Sequence, residues 1–324
     1  MGTTIVALGG NALGLTPAEQ LAALTQAAAG LVEMSRGGSL VIAHGNGPQV
    51  GQIERAFTMG SAVDPGVPSI DLPEMVAMSQ GYIGDHIVRV IAEELGRRDN
   101  EADMPSQVAA VVTRVRVDAG DPAFSAPTKP IGPFLTADIA ARRGEEHPDH
   151  VYGEDAGRGW RRLVASPRPV EVLEVGAVRA LVAAGFITVA CGGGGIPVIA
   201  EDAPLGEAHQ LRAVDAVIDK DHSAALLAHQ LAADTLVICT AVHRVAIGWG
   251  TDRQEWLKDL SVDKAREYME AGEFAAGSML PKVAAAVDFV AGAPKGRQRR
   301  AVICALSDAG RALSGQVGTV FHSE

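Results

Sequence analysis

Short, almost uninterrupted apolar runs alternate with longer stretches of helical period along the whole chain. The runs are Thr3–Leu8, Ser39–His44, Gln107–Val117, Phe186–Cys191, Thr235–Thr240 and Arg300–Ala305. A strand that is apolar on both faces needs cover on both faces, which a parallel sheet flanked by helices provides. The βαβα order therefore predicts an α/β fold around a mainly parallel sheet. The clearest helix is expected to start at Asp71, an N-cap residue type, with Pro73 in the first turn and Glu74 three residues on. Val76, Ile83, Ile87, Val90 and Ile91 recur on one face, and Arg97 and Arg98 suit its end. A second helix is expected from about Val172 to Ala184, stopped by Gly185. Residues 118–169, rich in Pro, Gly and charge, lack a strong period and are expected to form an inserted lid-like lobe.

Composition narrows the function. A net charge of −11 makes DNA, RNA and anionic membranes poor partners, while leaving room for a small anion at a local basic site. Aromatic residues are only 4%, so the core must come from Ala, Val, Leu and Ile. Cys191, Cys239 and Cys304 lie far apart in apolar runs, with no C-x-x-C pair. That disfavours a thiolate zinc site and suits free thiols in a reducing cytosol. The first residues carry no basic n-region and enter a strand at once, so no signal peptide is expected. The uncharged stretch Ala180–Ala200 is long enough for a membrane span, but Gly185, four consecutive glycines and Pro197 make it a turn, strand and loop.

Three of the expected strands run into glycine corners: Leu8-Gly9-Gly10-Asn11, His44-Gly45-Asn46-Gly47-Pro48 and Cys191-Gly192-Gly193-Gly194-Gly195. Glycine lets backbone N–H groups converge on an anion, and a following helix N-terminus adds positive potential. Ligands of open α/β sheets bind beyond the carboxyl ends of the strands, where all three corners fall. Each corner alone could be a tight turn; three together favour phosphate binding. Neither G-x-x-x-x-G-K-[ST] nor G-x-G-x-x-G is present, so a P-loop or dinucleotide fold is disfavoured.

The chain uses 22 Arg but only 6 Lys. Lysines in unusual settings are therefore informative. Lys129 lies inside the insertion, Lys220 between Asp219 and Asp221, and Lys282 just after Gly277-Ser278-Met279-Leu280-Pro281. An ammonium is a compact charge suited to a moving phosphoryl oxygen, and phosphoryl transfer asks a protein mainly for alignment and cations. Asp219 and Asp221 could hold lysines or contact a metal; spacing alone leaves both roles open. H-E-x-x-H and G-x-S-x-G are absent, against a zinc protease or an α/β-hydrolase.

These corners and lysine segments, with Ser79-Gln80-Gly81 and Asp155-Ala156-Gly157-Arg158-Gly159-Trp160-Arg161-Arg162, resemble the carbamate kinases of the amino-acid kinase superfamily, in the same order. The Gly9-Gly10-Asn11 corner points only to the superfamily. Lys129-Pro130-Ile131-Gly132-Pro133-Phe134 and Gly157–Arg162 are much more specific to carbamate kinases. The resemblance implies an open three-layer αβα sandwich. It implies a phosphoryl-acceptor lobe over residues 1–212, including the lid, and a nucleotide lobe over 213–324. It also implies reversible phosphoryl transfer between ATP and carbamate in a cytoplasmic homodimer, serving ATP formation in arginine or related nitrogen catabolism. Mg²⁺ is expected to be held mainly by nucleotide phosphates, with no direct protein ligand assigned.

Carried over residue by residue, Lys129, Lys220, Lys282 and Asp221 are the expected catalytic groups. Gly9, Gly10, Asn11, Gly45, Asn46, Gly47, Gly193 and Gly194 are expected to face substrate and phosphate. Asp219, Lys220, Met279 and Lys282 are expected at the nucleotide. Two places depart from the family pattern: Val245–Asp252, where members often show a Val-Tyr-Ile-Asn-Tyr-Gly-Lys-Pro-like run, and Asp85, where an aromatic residue is common. The rival readings are another acyl-phosphate-forming kinase, which would need a further cationic clamp for an extended substrate, and a regulator, which would lack the phosphate lysines.

Overall fold

The computed structural model describes residues 2–98, 101–155, 157–201 and 210–323, apart from the side chain of Asn11. Its centre is an eight-stranded sheet. In chain order the strands are β1 (Thr3–Leu8), β2 (Ser39–His44), β3 (Gln107–Ala110), β4 (Phe186–Val189), β5 (Thr235–Thr240), β6 (Asp259–Ser261), β7 (Arg300–Ala305) and β8 (Thr319–His322). In space they run β6-β8-β7-β5-β1-β2-β4-β3. Every pair is parallel except β7 with β8. The expected α/β architecture with a mainly parallel sheet is the one observed.

Alternation along β1 shows why both faces had to be apolar. Ile5 and Ala7 pack into one core with Leu227 and Val283, while Val6 and Leu8 pack into another with Leu24 and Ile83. The first face is covered by α6 (Lys220–Gln230) and α8 (Met279–Ala291), the second by α1 (Pro17–Glu33) and α3 (Leu72–Arg97). Truncating a residue such as the fully buried Leu8 to Ala would cost about 2–5 kcal/mol. The start of α1 is fixed by a capping box between Thr16 and Glu19 behind Pro17. Asp71 does stand at the N-cap of α3, but its side chain makes no capping hydrogen bond.

Four expectations change at their edges; one is the run Phe186–Cys191, which is strand only to Val189. The run Gln107–Val117 is two strands, not one. Its second half, Arg114–Val117, leaves the main sheet and pairs with Ile196–Glu201 and Pro169–Val172. The break falls at Thr113, whose backbone N–H and C=O are both taken by the Gln80 side chain, at 2.7 and 3.0 Å. The helix expected from Val172 begins at Val175, because Val172 closes the strand before it. Residues 118–169 are also more regular than their composition suggests. Lys129–Leu135, Trp160–Val164 and Val151–Glu154 form an antiparallel sheet flanked by α4 (Ala137–Glu146). Pro130 and Pro133, with Gly132 and Gly153, break the alternation that marks a strand.

Candidate functional site

At the carboxyl ends of β1, β2 and β5 lies a cavity of about 490 Å³. Two glycine corners make its floor by touching backbone to backbone. A Cβ on Gly45 would sit 2.8 Å from the Gly10 amide nitrogen and 3.2 Å from Cδ of Lys220. Only glycine allows the two chains and the lysine stem to lie this close. Gly9, Gly10, Gly45, Asn46 and Gly47 all line the cavity, as does Gly193 of the third corner. Gly194 does not: its carbonyl accepts a hydrogen bond from Ser223 at 2.7 Å, and a side chain there would strike the Ile218 carbonyl. The backbone of Asn11 sits in the turn after Gly10, while its side chain lies outside the described residues, as does Ala156 of the Asp155–Arg162 segment.

The lysines arrive from three separate elements. Lys129 opens the first strand of the inserted sheet, Lys220 is the first residue of α6, and Lys282 lies in the first turn of α8. Asp219 caps α6 by accepting from the Asp221 N–H at 2.9 Å, and its other oxygen accepts from Lys129 at 2.9 Å. Asp221, with 2% of its side chain exposed, accepts from Lys220 through one oxygen and from Lys282 through the other, the latter at 3.2 Å. Lys282 also donates to the Ser278 carbonyl at 3.1 Å. Three ammonium groups thus meet two carboxylates, and the N-terminus of α6 points into the same space. The surplus of positive charge in a chain of net charge −11 marks an anion site.

Two titrations bear on this balance. Burial works against the Asp219 carboxylate, but the charge and hydrogen bond of Lys129, helped by His222 and Lys220, hold its carboxyl well below the usual range. Asp219 is therefore ionised throughout the physiological range. His44, at the end of β2, is pushed down to about 4, first by complete burial and further by the nearby Lys220 charge. Its Nδ1–H donates to the Gly45 carbonyl at 3.0 Å, so the ring is a neutral support beneath the second corner.

Lys129, Gly9, Gly10, Gly45, Asn46, Gly47, Gly193, Asp219, Lys220, Asp221, Met279 and Lys282 thus share one cavity. Sequence reasoning missed several of its walls. Arg161 lines it from the inserted sheet, held by Asp155 at 3.0 Å and the Gly132 carbonyl at 3.0 Å. Trp249 and Glu273 line it as well. Arg161 stood in a motif already singled out and Trp249 in the atypical Val245–Asp252 run. Nothing in the sequence around Glu273 signalled it. Among the described residues no cluster of three or more His, Cys, Asp or Glu forms a metal cage.

Such a site, at the carboxyl edge of a parallel sheet and lined by glycine corners and lysines, belongs to a class. Residues 2–303 match the model of the amino acid kinase family, and the chain belongs to that family. Within it, the similarity runs to the carbamate kinases over the full length. The carbamate kinase of Staphylococcus haemolyticus is 43% identical over 321 residues, covering 99% of both chains. The carbamate kinase-like protein YqeA of Escherichia coli is 44% identical, covering 98% of this chain and 97% of its own. The structure of Giardia lamblia carbamate kinase bound to AMP-PNP superposes with a TM-score of 0.87 at 34% identity, covering 100% of this chain and 99% of that one.

Proposed function

We propose that the chain transfers a phosphoryl group reversibly between ATP and carbamate, forming ADP and carbamoyl phosphate. The observation that carries this reading is the convergence of Lys129, Lys220 and Lys282 on the Asp219–Asp221 pair above the glycine floor. A carbamate oxygen attacks the γ-phosphorus, a new P–O bond forms, and the bond to ADP breaks. Carbamate is already an anion, so no strong general base is required. Alignment and cations on the spreading negative charge do the work.

In this reading Gly9, Gly10 and Gly45–Gly47 cradle the acceptor and the moving phosphoryl group. Lys129 serves the acceptor side from the inserted sheet, Lys220 bridges acceptor and γ-phosphate, and Lys282 neutralises the nucleotide phosphates. Asp221 holds two of these lysines in place. Residues 1–212 would carry the acceptor and residues 213–324 the nucleotide, with Met279 and Trp249 at its end of the cavity. Mg²⁺ would enter with the nucleotide and neutralise its phosphates. The carboxylate oxygens of Asp219 and Asp221 are already engaged by N–H donors, which suits a cation that keeps most of its ligands from phosphate and water.

We further propose a cytoplasmic homodimer running toward ATP in arginine or related nitrogen catabolism. Three buried free thiols fit a reducing compartment. Among the described residues no helix is long and apolar enough to cross a membrane. The test is ATP formation from carbamoyl phosphate and ADP with Mg²⁺, followed by a coupled assay. Absence of turnover above spontaneous decomposition, from folded and metal-supplied protein, would sink the reading.

A further inference from the structure

Asn46 stands at the N-cap of α2 (Gly47–Val63), yet its side chain makes no capping hydrogen bond. Asparagine at that position ordinarily caps. Here the side-chain Nδ2 instead donates to Oγ of Ser79, at 2.8 Å. Ser79 is fully buried in α3, and its own hydroxyl hydrogen goes to the Val76 carbonyl at 2.7 Å. A hydroxyl that has given its hydrogen away can only accept. The amide of Asn46 is therefore fixed with its NH₂ toward Ser79. The backbone of Gly193, at φ +65°, presses against the same amide so closely that any side chain there would overlap it. The next residue of α3, Gln80, holds Thr113, whose Oγ1 in turn accepts from the Cys191 N–H at 3.1 Å. The second and third glycine corners are thus clamped from behind.

Locking the NH₂ leaves Asn46 Oδ1 with no protein hydrogen bond among the described residues, in a residue that lines the cavity. A carbonyl oxygen repels phosphoryl and carboxylate oxygens. The complementary group on carbamate or carbamoyl phosphate is the amino N–H.

We propose that Asn46 reads the amino group of the acceptor through Oδ1, and that Ser79 is the positioning residue that sets this orientation. The assignment rests on the carbamate kinase reading and deepens it by naming what distinguishes carbamate from acetate. Acetyl phosphate places a methyl group where carbamoyl phosphate has NH₂, so it leaves Oδ1 unpaired. A site built to hydrogen-bond one group rejects an analogue lacking it much more strongly than an apolar pocket does.

The experiment measures kcat/KM for carbamoyl phosphate and for acetyl phosphate, each with ADP, in wild type, Ser79→Ala, Asn46→Ala and the double variant. The preference for carbamoyl phosphate should fall roughly tenfold in Ser79→Ala. The double variant should show no further fall beyond Asn46→Ala, because Ser79 acts only through Asn46. KM for ADP should not move. Equal losses on both phosphates, additive losses in the double variant, or an unchanged preference would each overturn the assignment while leaving the kinase reading intact. Wild type inactive on both phosphates would overturn the kinase reading and the assignment with it. If Ser79→Ala folds poorly by circular dichroism, Ser79→Cys keeps the volume with a weaker acceptor and should give a smaller fall in the same direction. No fall there would count against the proposal equally.

Discussion

The ammonium of Lys129 lies 2.9 Å from Oδ2 of Asp219, so an ion pair ties the inserted sheet to the N-cap of α6. In the proposed reaction an arriving phosphate or carbamoyl group would compete for the same ammonium. Lys129→Ala should raise KM for carbamoyl phosphate and lower turnover, with a loss of stability larger than a surface pair would give, because Asp219 is only 15% exposed and relies on Lys129 against its burial. Steady-state kinetics beside thermal melts check this. Wild-type kinetics in the variant would remove Lys129 from the acceptor side.

Lys220 carries the largest expected effect. It is nearly buried, packed against Gly45 and paired to Asp221. A contact strongest in the transition state lowers kcat when it is lost. Lys220→Ala should lose at least about 10²-fold in kcat while keeping its circular dichroism. Lys220→Arg should recover little, since a planar guanidinium does not fit the space against Gly45. Lys264 is the control. It is exposed on a helix turn, paired with Glu267, and Lys264→Ala should stay near wild type. Small, equal effects at both lysines would misplace the chemistry.

What the sequence revealed and what it hid follow from the range of the interactions involved. β1, β2, β5 and β7 were legible to the residue because a strand covered on both faces writes its pattern locally. The glycine corners were legible because close backbone approach admits one residue type. The split at Thr113 was hidden, since it depends on Gln80, 33 positions away, taking the backbone groups of a strand. The same distance in sequence hid Ser79 behind Asn46. The inserted sheet was read as irregular because its prolines and glycines mask the period, while pairing such as Lys129 with Val164 supplies the order.

Trp249 offers a direct test of where the nucleotide base would sit. It lines the cavity, is 60% exposed, and meets Trp256 edge-on with ring centroids 5.5 Å apart. A large exposed indole beside a cavity suits an aromatic base. ADP should change the intrinsic fluorescence of the wild type in a saturable way. Trp249→Ala should abolish most of that change and raise KM for ADP several-fold, with kcat little altered. A full fluorescence response in the variant would place the base elsewhere.

The neutral state of His44 sets an acid limit on stability. Its folded pKa of about 4 lies below the ordinary value of 6.5, because burial first and Lys220 second disfavour the imidazolium. Between those values the unfolded chain binds a proton that the folded chain refuses. Stability contributed by this residue is therefore complete above about pH 6.5 and is lost as pH falls toward 4. The full difference amounts to about 3 kcal/mol. Thermal melts from pH 7.5 down to 4.5 should show a falling midpoint. In His44→Gln, which keeps a side-chain donor for the Gly45 carbonyl, the fall should be shallower over the same window. The variant is expected to be less stable near neutrality, where wild-type His44 is neutral and well packed. An equally steep fall in both proteins would mean that the acid sensitivity arises from other groups, and that His44 is not the buried neutral support of the second glycine corner.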